Sequence, residues 1–159
     1  MLTVRVIVVG RPGALLRAAI EDYEKRATRY WNFEAVEVRE ERLSRAGDES
    51  RVREAEGARL LERVPAGAEV IAMTRTGEQW NSTRLARHLQ DAADSGRAAV
   101  VFLIGGAYGL SPAVLTRANR ELSLSFFTFP HDMARLALGE QLYRAGTILR
   151  NEPYHKASE

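Results

Sequence analysis

Apolar and polar residues along this chain follow two periods that take turns. Leu2–Val9 is a short, nearly unbroken apolar run and predicts a strand, whereas Ala14–Thr28 places Leu15, Leu16, Ala19, Ile20 and Tyr23 on one side of a helix. Phe33–Val38 sets Phe33, Ala35 and Glu37 against Glu34, Val36 and Val38, a weaker strand pattern. The charged stretch Arg39–Glu49, which contains Gly47, predicts a mobile surface loop. Helical spacing returns over Glu49–Arg63, with Val52, Ala55, Ala58 or Leu60, and Leu61 as its apolar positions. A short strand at Glu69–Met73, a helix at Ser82–Ala93 and a strand at Ala98–Ile104 follow. The pattern closes with a short helix at Pro112–Asn119, a strand at Leu122–Phe127 and a long helix at Asp132–Arg150.

Strand–helix alternation predicts an α/β fold, a mostly parallel sheet with helices on both faces. Strands joined by crossover helices run in one direction, so the loops after them emerge on one edge of the sheet. Thr74–Trp80, Gly105–Ser111 and Phe127–Asp132 are three such loops, and a ligand is expected where they converge. The middle loop is the most informative. Val100–Ile104 is apolar at every position, as suits a strand covered on both faces, and it runs into Gly105, Gly106 and Gly109. Glycines there allow a sharp turn and a close approach of ligand to backbone. Ser111 and Pro112 then suit the N-cap and first position of a helix.

The closing helix carries two apolar stripes. Leu138, Leu142, Ala145 and Leu149 form one, sufficient for packing on the sheet; Leu136, Gly139, Tyr143 and Gly146 form a second, which predicts cover from another subunit. Glu140 and Arg144 stand at i, i+4 in the favoured order, and Arg144 can also face a pocket across such an interface.

Composition narrows the chemistry. A length of 159 residues fits one domain over 1–159, and the absence of cysteine removes disulfide, zinc–thiolate and cysteine-nucleophile readings. The N-terminal run is interrupted by Arg5 and reads as a strand, not a signal peptide or membrane span, so a soluble cytoplasmic protein is expected. Net charge is +2, and among 23 basic residues only Lys25 and Lys156 are lysines. Arginine suits phosphate, but the basic residues are mixed with acidic ones, so any RNA-facing patch must be assembled by folding. Val9–Gly13 is a glycine-containing turn without dinucleotide-fingerprint spacing, and no P-loop sequence occurs.

Of the histidines, His131 stands at the mouth of the last helix, where it can orient a neighbour or act as a general base. His155 follows Tyr154 and precedes Lys156, a grouping of stacking ring, titratable ring and cation suited to nucleic acid. His88, in a charged helix, is expected to be solvated.

LIGGAYGLS at Leu103–Ser111, LSFFTFPHDMARLALGEQLYRA at Leu124–Ala145 and the terminal PYHK at Pro153–Lys156 resemble the bacterial 23S rRNA pseudouridine N3-methyltransferase family, of the SPOUT class. The resemblance runs over essentially the whole chain, including Tyr23–Arg26. It implies a C-terminal trefoil knot, a homodimer, S-adenosylmethionine as methyl donor and, as substrate, a pseudouridine in a 23S rRNA stem-loop on the assembled ribosome. No metal or membrane is implied. It also implies that Met73, Gly105, Leu124, Ser125, Phe126, Phe127, Thr128 and Phe129 hold the cofactor. His131, His155 and Tyr154 are candidates for the proton acceptor, and Arg144 for stabilising charge on the base. The chain departs from the family pattern at Met73, Asp132 and Gly139, and in the extension Ala157–Glu159. A non-catalytic ribosome-associated factor of the same fold and a related knotted tRNA methyltransferase are the alternatives. The complete glycine loop and cofactor run argue against the first, and PYHK without an appended RNA-binding domain against the second.

Overall fold

The computed structural model describes residues 1–156; the extension Ala157–Glu159 lies outside the described residues. Five strands, β1 (Thr3–Val9), β2 (Asn32–Val38), β3 (Glu69–Gln79), β4 (Ala99–Ile104) and β5 (Arg120–Ser123), form one sheet in the order β2-β1-β4-β3-β5. Every pairing is parallel. The helices are α1 (Ala14–Ala27), α2 (Glu49–Glu62), α3 (Ser82–Asp94), α4 (Pro112–Arg117) and α5 (His131–Leu149).

Period-two alternation in the central strands assigns side chains to two cores. Val4, Val6 and Val8 of β1 and Val100, Phe102 and Ile104 of β4 join the core under α1, α3 and α5. Ile7 and Val9, with Val101 and Leu103, join the core under α2 and α4. Both faces are therefore covered, as the unbroken apolar run of β4 predicts. The Ser111 hydroxyl accepts the Val114 N–H at 3.3 Å with Pro112 in the first turn, so the expected N-cap is present.

Several expectations need correction. Thr74–Gln79 is not a loop but the second half of β3, paired with β5 beyond a register shift between Met73 and Glu78. Gly77 makes this possible, since a Cβ there would lie 2.7 Å from the Glu121 carbonyl oxygen. In return β5 stops at Ser123, whose hydroxyl donates to backbone oxygens of Arg75 and Ser125; the segment expected to continue the strand to Phe127 is irregular. The charged Arg39–Glu49 segment is held down by side chains. Arg51 binds Glu41, Asp48 and the Arg42 carbonyl, and Arg59 binds Glu41 and the Arg39 carbonyl.

Three of the four positions of the second stripe of α5, Gly139, Tyr143 and Gly146, are covered by the chain itself, whereas Leu136 is half-buried and lines an open hollow. Tyr143 is buried among the rings of Tyr23, Tyr30 and Tyr154, Gly139 faces Tyr23 and Glu24, and Gly146 lies flat against the Tyr30 ring. Leu15, expected on the apolar side of α1, is 96% exposed. His88 is not solvated: its Nε2 lies 2.7 Å from Oε1 of buried Glu69, and its ring packs 4.9 Å from that of Trp80. At the centre of the α1–α5 contact, buried Arg135 binds Glu24 through two hydrogen bonds and Glu37 through a third, so the buried charge is fully paired.

Candidate functional site

β1 is connected outward to β2, whereas the connection from neighbouring β4 crosses β3 to reach β5. Crossovers leaving in opposite directions open a crevice beyond the carboxyl ends of these strands, the usual ligand position in an open α/β sheet. A cavity of about 1040 Å³ lies there. It is lined by Met73–Thr76 of β3, by Ile104–Leu110 after β4, by most of Leu122–Pro130 after β5 and by His131 at the start of α5. Glu40, Glu41 and Glu56 close the side toward β2 and α2.

The glycine loop is built tightly. Gly106 and Gly109 bridge each other, Gly109 has φ of +83°, and its N–H donates to the Gly106 carbonyl at 3.1 Å. At Gly105 a Cβ would stand 3.0 Å from the Gly109 carbonyl carbon and oxygen. Opposite this loop, the Ser125 hydroxyl accepts the Phe127 N–H at 3.0 Å.

Of the residues expected to hold a cofactor, Met73, Gly105, Leu124, Ser125, Phe127, Thr128 and Phe129 all line this cavity. Phe126 does not; it is 69% exposed on the outer side of the same loop. His131 lines the cavity, with its Nε2 3.7 Å from Glu40 Oε1. Arg144, Tyr154 and His155 do not line it. Arg144 donates to Glu140 at 2.7 Å and stacks over the Tyr154 ring at 4.9 Å. The Tyr154 hydroxyl donates to Glu140 at 2.7 Å, and burial together with Glu140 raises its pKa above the usual phenol value.

Sequence reasoning missed the acidic wall. Glu56 is buried, and burial raises its pKa above the usual carboxylate range. A signal was present: Val52, Glu56 and Leu60 share one helical stripe, so the glutamate stands in phase with the buried positions.

Beside the cavity, and sharing Leu122, Leu124 and Phe129 with it, lies an apolar hollow of about 700 Å³. Leu16, Ala19 and Tyr23 of α1, Met133, Leu136 and Ala137 of α5, and Trp80 line it. This is the uncovered apolar surface of α5; it includes Leu136 of the stripe predicted to meet another subunit, with Met133 and Ala137 beside it. Among the described residues no group of three His, Cys, Asp or Glu could hold a metal, and no helix is long and apolar enough to cross a membrane.

Curated relatives match over almost the full chain. A protein of Gemmatimonas aurantiaca named ribosomal RNA large subunit methyltransferase H is 51% identical over 156 residues, covering 98% of this chain and 100% of its own length. Proteins of the same name from Rubrobacter xylanophilus and Limosilactobacillus fermentum are 46% and 40% identical, covering 94% and 98% of this chain and 96% and 100% of their own lengths. Among solved structures, a probable methyltransferase from Bordetella pertussis superposes with a TM-score of 0.51 at 19% identity, covering 89% of this chain and 93% of that one. A probable methylase family protein from Haemophilus influenzae gives 0.53 at 11% identity, covering 98% and 71%. These two likenesses concern the fold. The family described as "Predicted SPOUT methyltransferase" matches residues 2–155, and with the full-length relatives this establishes that the chain belongs to the SPOUT methyltransferases.

Proposed function

We propose that this protein transfers a methyl group from S-adenosylmethionine to N3 of a pseudouridine in a 23S rRNA stem-loop on the assembled ribosome, acting in the cytoplasm as a homodimer with the family's trefoil-knotted C-terminal segment. The observation that carries the reading is the convergence of Met73, Gly105 and most of Leu124–Phe129 on one cavity. The relatives' shared name supports ribosomal RNA of the large subunit as substrate.

The cavity fits this cofactor. Its volume is at the upper end of the roughly 300–1,000 Å³ common for small-molecule sites. Four carboxylates, Glu40, Glu41, Glu56 and Glu121, line it against one arginine, Arg75. That balance suits a cationic nucleoside without phosphate and disfavours a nucleotide. Glu56 Oε1 and Thr74 Oγ1, both lining the cavity, are buried without hydrogen-bond partners among the described residues, and a polar ligand would satisfy them. Met73, Ile104, Leu110, Leu122, Leu124 and Phe129 offer the apolar wall that a purine needs.

When bound, S-adenosylmethionine supplies an electrophilic methyl group. The chain's residues hold the reactants in line, a contribution that can be worth several kcal/mol of barrier. The glycine loop lets backbone reach the ligand, and Phe129 and Leu124 exclude water between cavity and hollow. Pseudouridine N3 carries a proton that must leave, and His131, which lines the cavity with its Nε2 3.7 Å from Glu40 Oε1, takes it or orients a water that does. Tyr154 in this conformation is a poor base, because its proton is committed to Glu140. Its ring, Arg144 and His155 serve instead as the surface that meets the RNA base, with Arg144 offsetting charge on the carbonyl oxygens. These three lie off the cavity of their own chain, so a second copy seated in the hollow that adjoins the cavity would complete the site.

The test is mass spectrometry of 23S rRNA fragments from a strain lacking this protein, with remethylation of its ribosomes by purified enzyme. Loss of one pseudouridine methyl, restored by wild type and not by Gly105→Val, is the expected result. An unchanged methylation pattern overturns the assignment.

A further inference from the structure

Helix α2 is shaped to the glycine loop at three successive contacts. The Arg53 guanidinium donates to the Tyr108 carbonyl at 3.5 Å, and Gly57 leaves room for the Ser111 side chain, whose Cβ would stand 3.1 Å from a Cβ at that position. Between them the Glu56 carboxyl lies against Gly106, where a Cβ would fall 2.9 Å from Oε1 and 3.2 Å from Oε2. Glu56 is only 4% exposed. Its Oε2 accepts the Glu41 N–H at 3.1 Å, while Oε1 is buried and has no partner among the described residues. An unsatisfied buried oxygen is costly, and a leucine or methionine would fill the same stripe position of α2 without that cost.

We infer that Glu56 is a specificity-determining residue of the cavity, its Oε1 held beside Gly106 to accept a hydrogen bond from a hydroxyl or ammonium group of the bound nucleoside. The inference rests on the cofactor reading above and adds to it a residue outside the three converging segments. Gly106 is glycine, on this view, because any side chain would cover the oxygen. Burial raises the carboxyl's pKa against the opposing Glu41 N–H; the charged groups facing it are Glu40, Glu41 and Arg59, with His131 beyond Glu40. Two donors fit the chemistry: a ribose hydroxyl, or the ammonium of the amino-acid arm.

Calorimetry on the full-length protein distinguishes them, with S-adenosylhomocysteine, which carries both donors, and methylthioadenosine, which carries only the hydroxyls. Glu56→Met is expected to weaken S-adenosylhomocysteine binding about tenfold, and Glu56→Gln, which keeps an oxygen acceptor, less than threefold. A parallel loss with methylthioadenosine assigns the hydroxyl; no loss with it assigns the ammonium. Should Glu56→Met fail to fold, Gly106→Ala carries the test: its methyl would stand 2.9 Å from Glu56 Oε1 and cover that oxygen, so S-adenosylhomocysteine binding is expected to weaken about tenfold. A folded Glu56→Met, or in its absence Gly106→Ala, that binds both ligands as wild type does overturns the inference and leaves the cofactor reading standing. Wild-type protein that binds neither ligand overturns both.

Discussion

Replacing Gly146 by alanine tests whether the glycines of α5 serve this chain or a partner. In an exposed helix the change would gain about 1 kcal/mol of helix propensity. Here the new methyl would overlap the Tyr30 ring and lie 2.6 Å from Tyr30 Cβ, so the ring has to move. Overpacking of this kind costs about 1–3 kcal/mol. A displaced Tyr30 also gives up its 2.6 Å hydrogen bond to Glu152, worth about 1.5–3 kcal/mol for a charged acceptor, and loosens its contact with Tyr143. After the propensity gain, the expected net loss is about 1.5–5 kcal/mol, a Tm fall of about 3–20 °C for a chain of this size. Urea unfolding at one fixed protein concentration measures it. Gly139→Ala is the control: its nearest foreign atoms would be 3.8 and 3.9 Å away, ordinary contact, so that variant should match or exceed wild type. If Gly146→Ala unfolds at the wild-type midpoint but changes the oligomeric state, the packing of Tyr30 described above is wrong and the stripe faces a partner.

Met133→Asp puts a charge in the apolar hollow without touching either core; light scattering should find wild-type dimers and monomers of this variant, and a monomeric wild type would end the homodimer proposal. Deleting residues 153–159 should leave S-adenosylhomocysteine affinity within twofold and abolish transfer to ribosomes, because Tyr154 and His155 lie off the cavity; equal transfer rates would reduce the tail to ordinary surface. Glu69 has a pKa lowered chiefly by its hydrogen bond to His88, then favoured by the charges of His88 and Arg120, so it contributes stability while ionised. That contribution is complete above the unfolded carboxylate value of about 4.3 and lost as pH falls through the lower folded value. The stability difference between wild type and Glu69→Gln should therefore shrink from pH 6 toward pH 3, and a constant difference would refute the pairing.

What the sequence made legible is what local chemistry decides. β1 and β4 could be read because β4 is apolar at every position and β1 nearly so, and the Ser111–Pro112 helix start because cap and first turn are neighbours in sequence. The cavity followed, since parallel strands place their exits together whatever the loops contain. The extension of β3 was not legible: Thr74–Gln79 is polar and contains Gly77, and its strand state comes from the backbone of β5, some forty-five residues later. The same limit explains α5. Periodicity showed a second apolar stripe but not what covers it, and Tyr23, Tyr30 and Tyr154 supply that cover for Gly139, Tyr143 and Gly146 from within. Glu56 and His88 were hidden differently. Each is a polar residue on a helix face that packs inward, and each reads as solvated unless its phase against the neighbouring apolar positions is checked.

The arrangement of the two recesses bears on how the enzyme would work. Leu122, Leu124 and Phe129 are walls of both, so whatever seats in the hollow meets residues that also enclose the proposed cofactor cavity. Glu140 lines the hollow and at the same time holds Arg144 and the Tyr154 hydroxyl, which ties the tail's anchor to the same surface. A second copy docking there would thus meet three things at once: one wall of the cofactor cavity, the arginine proposed to offset charge on the substrate, and the tail. On the proposed function, charge gives a reason for keeping cofactor and RNA on separate faces. The cavity is acidic, as a cationic methyl donor would require, and an acidic lining repels RNA; the arginine and tail residues proposed to meet RNA stand outside it. Bringing them together by the proposed subunit contact, and not within one chain, would let each surface keep the electrostatics its own ligand requires.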